Sequence, residues 1–115
     1  MEKIYNFYAL SASDSPQDIR YIGVTTKPIK DRFYQHKYCA LHDEKRALPV
    51  HKWMYSKYKQ GINILFQQID SCSESSWEQK EIELIKKYNE GGRLLNVDKG
   101  GRGVITKEKR ELDDI

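Results

Sequence analysis

The sequence predicts an α+β domain in which helices pack on a small, largely antiparallel sheet. Short segments rich in aromatic and β-branched residues alternate with longer segments whose apolar residues recur at helical spacing. These segments follow the order β-β-α-α-β-α-β. A chain of 115 residues is long enough for one domain with a single modest core.

The first two elements are predicted to be strands. Residues 3–10 (KIYNFYAL) are rich in β-forming side chains, and residues 19–24 (IRYIGV) form a second such run. Residues 11–17 contain Ser, Asp and Pro, which predict a turn. The pair is therefore expected to form an antiparallel hairpin with a long loop.

Two helices are predicted next. Pro28 is tolerated in a first helical turn, so it can begin a helix that ends near residue 40. A charged connection follows over residues 42–48. Pro49–Lys59 carries apolar residues on one side, and Gly61 is the expected stop.

The second half of the chain predicts a strand, a helix and a short extended piece. Residues 62–69 (INILFQQI) alternate as a strand does, and serines cap the helix Trp77–Tyr88. Residues 94–97 are expected to be extended. The glycine loop 99–103 lacks the spacing of a P-loop, and Thr106 is a candidate cap for a final charged helix.

Charge alone does not indicate a partner. Lys and Arg number 20 against 17 Asp and Glu, a net charge of +3, which is too small an excess to mark a nucleic-acid-binding protein. Most of the basic residues between 27 and 59 have few acidic neighbours in sequence, so a basic surface and an ordinary solvated face both remain open.

Cys39 and Cys72 do not form a disulfide framework, and with three scattered histidines they have no zinc-site spacing. The sequence has no apolar run long enough for a bilayer and no secretory leader at its start. These features predict a cytoplasmic protein without a membrane partner.

Glu81 occupies a position where the helical pattern requires an apolar side chain. At about 100° per residue, it points along the middle of the apolar face of Trp77–Tyr88. That face contains Trp77, Ile82, Leu84, Ile85 and Tyr88. A carboxylate that faces a core costs several kcal/mol unless a basic partner, a set of hydrogen-bond donors or a metal ion compensates it. A structural hydrogen bond is the simplest of these explanations.

Four further side chains and one glycine are candidates for a site. Arg32 and His36 are four residues apart, on one border of the apolar stripe of their predicted helix. Tyr8 and Tyr21 belong to adjacent strands, and Gly23 shares a face with Tyr21. A glycine inside a strand often marks a close approach by backbone or ligand. Each residue also has an ordinary interpretation as packing or surface.

Taken together, these residues resemble the GIY-YIG nuclease family. Residues 21–36 (YIGVTTKPIKDRFYQH) are similar to its signature block, and Glu81 followed by Asn96 and a Gly-Gly loop is similar to its metal-binding helix and terminal asparagine. The resemblance covers residues 4–103. Where the family has Gly-Ile-Tyr, this chain has Asn-Phe-Tyr at residues 6–8, and residues 3–5 are a competing match.

The resemblance implies a small three-stranded antiparallel sheet flanked by helices and a reaction that hydrolyses DNA phosphodiester bonds with one divalent metal. It implies that Glu81 binds Mg²⁺ or Mn²⁺ and that Arg32 stabilises charge on the phosphate. Tyr8 corresponds to the tyrosine that takes a proton from the attacking water, and His36 is the alternative base.

The same resemblance implies supporting roles. Tyr21, together with His36, would orient water and phosphate, and Asn96 would hold the site together. Gly23 and Lys27 would contact the substrate.

The implied partner is DNA, with specificity supplied by a linked or separate DNA-binding domain, because so small a net charge predicts weak intrinsic affinity. Residues 1–103 would form the nuclease domain, and residues 104–115 a charged tail or the start of a linker. A non-catalytic nucleic-acid-binding module on the same fold is the alternative.

Overall fold

The computed structural model describes residues 3–96. The predicted glycine loop 99–103, the helix expected near Thr106 and the tail 104–115 lie outside the described residues. The elements, in chain order, are β1 (Ile4–Ala12), β2 (Tyr21–Thr25), α1 (Ile29–Leu41), a 3₁₀ turn (Asp43–Lys45), α2 (Pro49–Lys59), β3 (Ile64–Ser73) and α3 (Trp77–Tyr88).

The sheet has the strand order β2-β1-β3, and both pairs are antiparallel. The predicted fold class, an α+β domain with a three-stranded antiparallel sheet flanked by helices, is confirmed. Since β1 is the central strand, its residues from Phe7 to Ala12 are all buried. β2 is an edge strand.

Alternation along β1 separates two apolar cores on opposite faces of the sheet. Tyr8, Leu10 and Ala12 pack with residues of α1 and α2. Phe7 and Ala9 pack with the buried face of α3. The sheet therefore lies between the α1–α2 layer and the α3 layer.

Gly61 ends α2 as its position predicts, and Gly92 lies in the turn that follows α3, whose C-cap is Asn89. Gly61 and Gly92 have φ values of 78° and 69°, a left-handed conformation that side chains with a Cβ rarely adopt. Pro49 opens α2, where its missing N–H leaves no helical hydrogen bond unmade.

The expected extended piece at residues 94–97 is not a fourth strand over its described part, 94–96. It still runs beside β2, because the backbone N–H of Leu95 donates to the carbonyl of Arg20 at 2.6 Å. A single backbone hydrogen bond does not form a β-ladder. Ile82, placed on the apolar face of α3 by its spacing, is 37% exposed, so that face is narrower than predicted.

β1 and β3 are joined through an irregular register. Phe7 pairs with Asp70, whereas Tyr8 pairs with Gln68, so Ile69 is an extra residue on β3. A bulge of this kind increases local twist and changes the direction of nearby side chains. It lies at Tyr8, one of the predicted site residues.

Among the described residues, no helix is both long enough and apolar enough to cross a membrane.

Candidate functional site

Tyr8 and Gly23 face each other across β1 and β2, and they pack in direct contact. They are register partners, and a Cβ added to Gly23 would overlap the Tyr8 ring. The absence of a side chain at Gly23 therefore lets the phenol of Tyr8 lie over the edge strand. The structural role of Gly23 is to make room for the Tyr8 ring.

Gly23→Ala is expected to destabilise the domain by about 1–3 kcal/mol, because the new methyl group must displace the buried Tyr8 ring. Urea unfolding would measure the loss. Gly91→Ala is the matched control, since an added Cβ there meets only Arg93 Cγ at 3.9 Å. Equal stability of the two variants would contradict this account of Gly23.

Tyr8 begins a chain of hydrogen bonds between three buried side chains. Its Oη lies 2.6 Å from His36 Nε2, and His36 Nδ1 lies 3.0 Å from His51 Nε2. All three residues are buried. They come from β1, α1 and α2, so the α1–α2 layer brings together groups that are 28 and 15 residues apart in sequence.

Both histidines are held in the neutral form. Burial, and then the positive charge of Arg32, lower the pKa of His36 well below its ordinary value. The same two causes, again with burial first, lower the pKa of His51 to about 4. A neutral imidazole has one donor and one acceptor nitrogen. The two hydrogen bonds form when Tyr8 donates to His36 Nε2 and His36 Nδ1–H donates to His51 Nε2. His51 Nδ1, which then carries the proton, is buried and has no partner among residues 3–96.

Tyr21 and Arg32 border this chain. The Tyr21 ring meets the His36 ring edge-on, with centroids 5.3 Å apart, and lies 6.3 Å from the Tyr8 ring. Arg32 is buried and donates from Nη1 to Gln35 Oε1 at 2.8 Å. A guanidinium close to two neutral imidazoles produces a positive potential that favours an anion.

Glu81 points inward, as predicted, and its exposed fraction is 0%. It lies on the buried face of α3 with Trp77, Leu84 and Ile85. This helix packs on the sheet face opposite to α1 and α2. Glu81 and the Tyr8–His36–His51 chain thus belong to layers on opposite faces of the sheet, and α3 contacts the edge strand β2.

The described residues offer few ligands for a divalent ion. Within residues 3–96, no group of three or more His, Cys, Asp or Glu side chains is placed to hold a metal. Mg²⁺ commonly binds through one or two carboxylates and completes its shell with waters and substrate phosphate oxygens. The single buried carboxylate of Glu81 fits that mode of binding and not an all-protein cage.

Asn96 binds the backbone of β2 in both directions. Its side-chain Oδ1 accepts from the N–H of Ile22 at 3.1 Å, and its Nδ2 donates to the carbonyl of Ile22 at 2.8 Å. These bonds tie the segment after α3 to the edge strand, between Tyr21 and Gly23. The role of Asn96 in a catalytic site stays a prediction.

Lys27 follows β2 and is half-buried. Its backbone N–H donates to Thr25 Oγ1 at 3.1 Å, which fixes the turn into α1. This contact involves the backbone of Lys27, so a substrate-binding role for its side chain stays a prediction.

His51 is the residue that the sequence analysis missed. It lies on α2 between the buried residues Val50 and Met54, so helical spacing places it toward the core. His51 could have been predicted from two features of the sequence. It is a histidine at a core-facing helical position, and a second histidine lies on the preceding predicted helix.

Comparisons of the chain with protein-family models, with curated proteins and with solved structures find no match. The resemblance to GIY-YIG nucleases therefore stays a prediction that depends on the residues of this chain.

Proposed function

We propose that this chain is a divalent-metal-dependent endonuclease of the GIY-YIG type that hydrolyses phosphodiester bonds in DNA, and that it acts in the cytoplasm. The observation that carries the proposal is the buried chain from Tyr8 through His36 to His51, with Arg32 beside it. It combines a proton acceptor and a cation, which are the two protein functions that phosphoryl hydrolysis requires.

A purely structural tyrosine does not need this arrangement. One backbone carbonyl would satisfy a buried phenol, whereas here two titratable rings are also buried. Ionisable groups whose pKa is shifted by burial and by a neighbouring charge are concentrated at functional sites, because catalytic acids and bases need pKa values matched to their reactions. The chain from Tyr8 to His51 is best explained by proton movement.

The direction of that movement follows from the pKa values. Free tyrosine has a pKa of about 10, and burial lowers the pKa of His36, the ring that contacts the phenol, well below its ordinary value, so His36 is a poor proton acceptor at rest. Tyr8 therefore stays protonated until a substrate is bound. A phosphate anion beside Arg32 would offset the positive charge that disfavours imidazolium, and this makes His36 a better acceptor.

In the proposed reaction, Tyr8 accepts a proton from the attacking water while its own proton passes to His36 Nε2. Arg32 stabilises the negative charge on the phosphate, and Tyr21 orients the groups that meet at His36. A divalent cation held by Glu81 would polarise the phosphate and stabilise the leaving oxygen.

Plasmid nicking tests the proposal. The wild-type protein is expected to nick supercoiled DNA with Mg²⁺ or Mn²⁺ and to be inactive in EDTA. Tyr8→Phe is expected to lower the cleavage rate about 10²–10⁴-fold, the range for loss of a general base. DNA binding should be kept, because the phenol contributes no charge.

Tyr34→Phe is the matched control, since Tyr34 is exposed on the outer side of α1. Cleavage by Tyr8→Phe at the rate of this control would reject the role of Tyr8. Absence of cleavage by the wild-type protein with every divalent metal would reject the nuclease proposal.

A non-catalytic nucleic-acid-binding module is the second candidate, and the outer face of α1 favours it. Tyr34 and Tyr38 are 53% and 51% exposed, and Lys30 Nζ lies 5.9 Å from the Tyr34 ring centroid. Exposed rings beside lysines are a means of stacking bases and contacting phosphates. DNA binding without cleavage, lost in Tyr34→Ala, would support this candidate over the nuclease.

A further inference from the structure

A small cavity separate from the Tyr8–His36–His51 chain is lined by an excess of hydrogen-bond donors. It has a volume of about 110 Å³ and lies between the β1–β2 loop, α2 and the segment after α3. Its polar lining residues are Ser15, Asp18, Arg20, Trp53, Lys57 and Arg93.

Three cations line this cavity with one acid. Arg93 forms two hydrogen bonds to the Asp18 carboxylate, from Nε and Nη2, both at 2.7 Å. Lys57 forms a longer ion pair, 3.6 Å, with the half-exposed Asp14. Among residues 3–96, Arg20 pairs with no carboxylate; its Nε–H donates to the carbonyl of Arg93 at 2.8 Å.

The pKa of Asp18 reflects the positive charges of all three cations. Hydrogen bonding to Arg93 is the main reason that the pKa of Asp18 lies below its ordinary value, and the charges of Arg20 and Lys57 act in the same direction. Asp18 therefore experiences all three cations, although it can neutralise only one of them.

Two donors remain for a ligand. Within the described part of the chain, the buried indole Nε1 of Trp53 has no hydrogen-bond acceptor. Arg20, whose guanidinium lies 5.7 Å from the Trp53 ring centroid, uses only its Nε in the bond to Arg93. A buried N–H without an acceptor is unfavourable, so an acceptor supplied by a ligand would stabilise this wall of the cavity.

We propose that this cavity is a phosphate-binding site. Its volume accommodates one tetrahedral oxyanion, and its donors are the arginine, lysine and indole groups that phosphate oxygens accept from. A carboxylate would fit the charge, but it presents two oxygens in one plane to donors that come from three separate elements. Phosphate presents oxygens in all of these directions.

The source of the phosphate follows from the neighbours of the cavity, and this step rests on the proposed function. Arg20 directly precedes Tyr21, and Trp53 and Lys57 lie on the helix that carries His51. A DNA strand at the Tyr8–His36–His51 chain would place another of its phosphates at this cavity. The cavity would then fix the register of the strand while the reaction occurs elsewhere.

Indole N–H signals in ¹H–¹⁵N NMR spectra test this site without any metal or cleavage. The chain has two tryptophans, so two indole signals are expected, and Trp53→Phe identifies the one to follow. Titration with inorganic phosphate at constant ionic strength, against a chloride titration, should shift the Trp53 signal with saturation and leave that of Trp77 in place.

Lys57→Gln should weaken phosphate binding about tenfold or more, the effect of one charge-assisted hydrogen bond. Lys59→Gln, on the same helix and exposed, is the control and should bind as the wild-type protein does. The proposed site would be overturned if phosphate did not shift the Trp53 signal, or if it shifted that signal equally in Lys57→Gln and Lys59→Gln.

A second titration, with a short single-stranded oligonucleotide that lacks terminal phosphates, distinguishes the sources. A saturable shift of the same Trp53 signal supports a backbone phosphate of DNA. A response to inorganic phosphate alone overturns the strand as the source and assigns the cavity to free phosphate. Because neither titration measures cleavage, loss of the nuclease proposal and loss of the phosphate site give different results.

Discussion

Glu81→Gln is expected to lower metal-dependent DNA cleavage by at least about 10²–10³-fold, the range for removal of one group that stabilises transition-state charge. Glutamine keeps the size of the side chain and one carbonyl oxygen, but it removes the negative charge that attracts a divalent cation. The variant should therefore fit the space on α3 while it loses its affinity for Mg²⁺ or Mn²⁺.

The position of Glu81 explains why so large an effect is expected. Its carboxylate is fully buried among the apolar residues of α3, where a charge is tolerated only with strong compensation. A hard cation is one such compensator, and a buried ionic or hydrogen-bonded partner is another. The two explanations differ in their dependence on metal.

Plasmid nicking over a range of Mg²⁺ concentrations separates these explanations when urea unfolding is measured on the same samples. Glu83→Gln is the matched control, because Glu83 is exposed on the same helix. A Glu81→Gln protein that unfolds earlier but cleaves at the control rate would show that Glu81 has a structural role only. Loss of cleavage with stability kept would support metal binding.

Local periodicity was sufficient to predict the inward direction of Glu81. Helical spacing in Trp77–Tyr88 depends on the helix alone, so one misplaced carboxylate can be recognised without knowledge of its neighbours. Strand alternation alone puts adjacent residues of β1 on opposite faces, and Phe7 and Tyr8 do lie in separate cores. Predictions of this kind succeed because they concern one element at a time.

Features that depend on contact between elements could not be predicted from the sequence. The bulge opposite Tyr8 arises from the pairing of β1 with β3, and neither strand indicates it by itself. The hydrogen bond from His36 to His51 depends on how α1 and α2 pack. For the same reason residues 94–96, extended by composition, meet β2 through side-chain bonds of Asn96 and one backbone bond and form no strand.

The two buried histidines also predict a large loss of stability in mild acid. The pKa of His51 is lowered from 6.5 to about 4, first by burial and then by Arg32, whereas in the unfolded chain the ring regains its ordinary value. Between these two values the unfolded state binds more protons than the folded state. The contribution of neutral His51 to the free energy of unfolding is therefore fully present above pH 6.5 and is lost as the pH decreases.

For His51 alone, the free energy of unfolding should fall by about 2 kcal/mol between pH 7 and pH 5. The lowered pKa of His36 acts in the same direction over the same range. The carboxylates Asp18 and Asp70, whose pKa is lowered, lose their contributions only below about pH 4, so they do not account for a loss of stability between pH 7 and pH 5.

Urea unfolding at pH 7 and pH 5 measures the difference. In His51→Gln the amide oxygen can still accept from His36 Nδ1, and the loss of stability between the two pH values should shrink by about 2 kcal/mol. His42→Gln removes an exposed histidine and leaves the buried pair in place, so its two values should follow those of the wild-type protein. A wild-type domain equally stable at pH 5 and pH 7 would show that the histidines are already charged in the fold, and the neutral acceptor that the proposed proton transfer requires would then not exist.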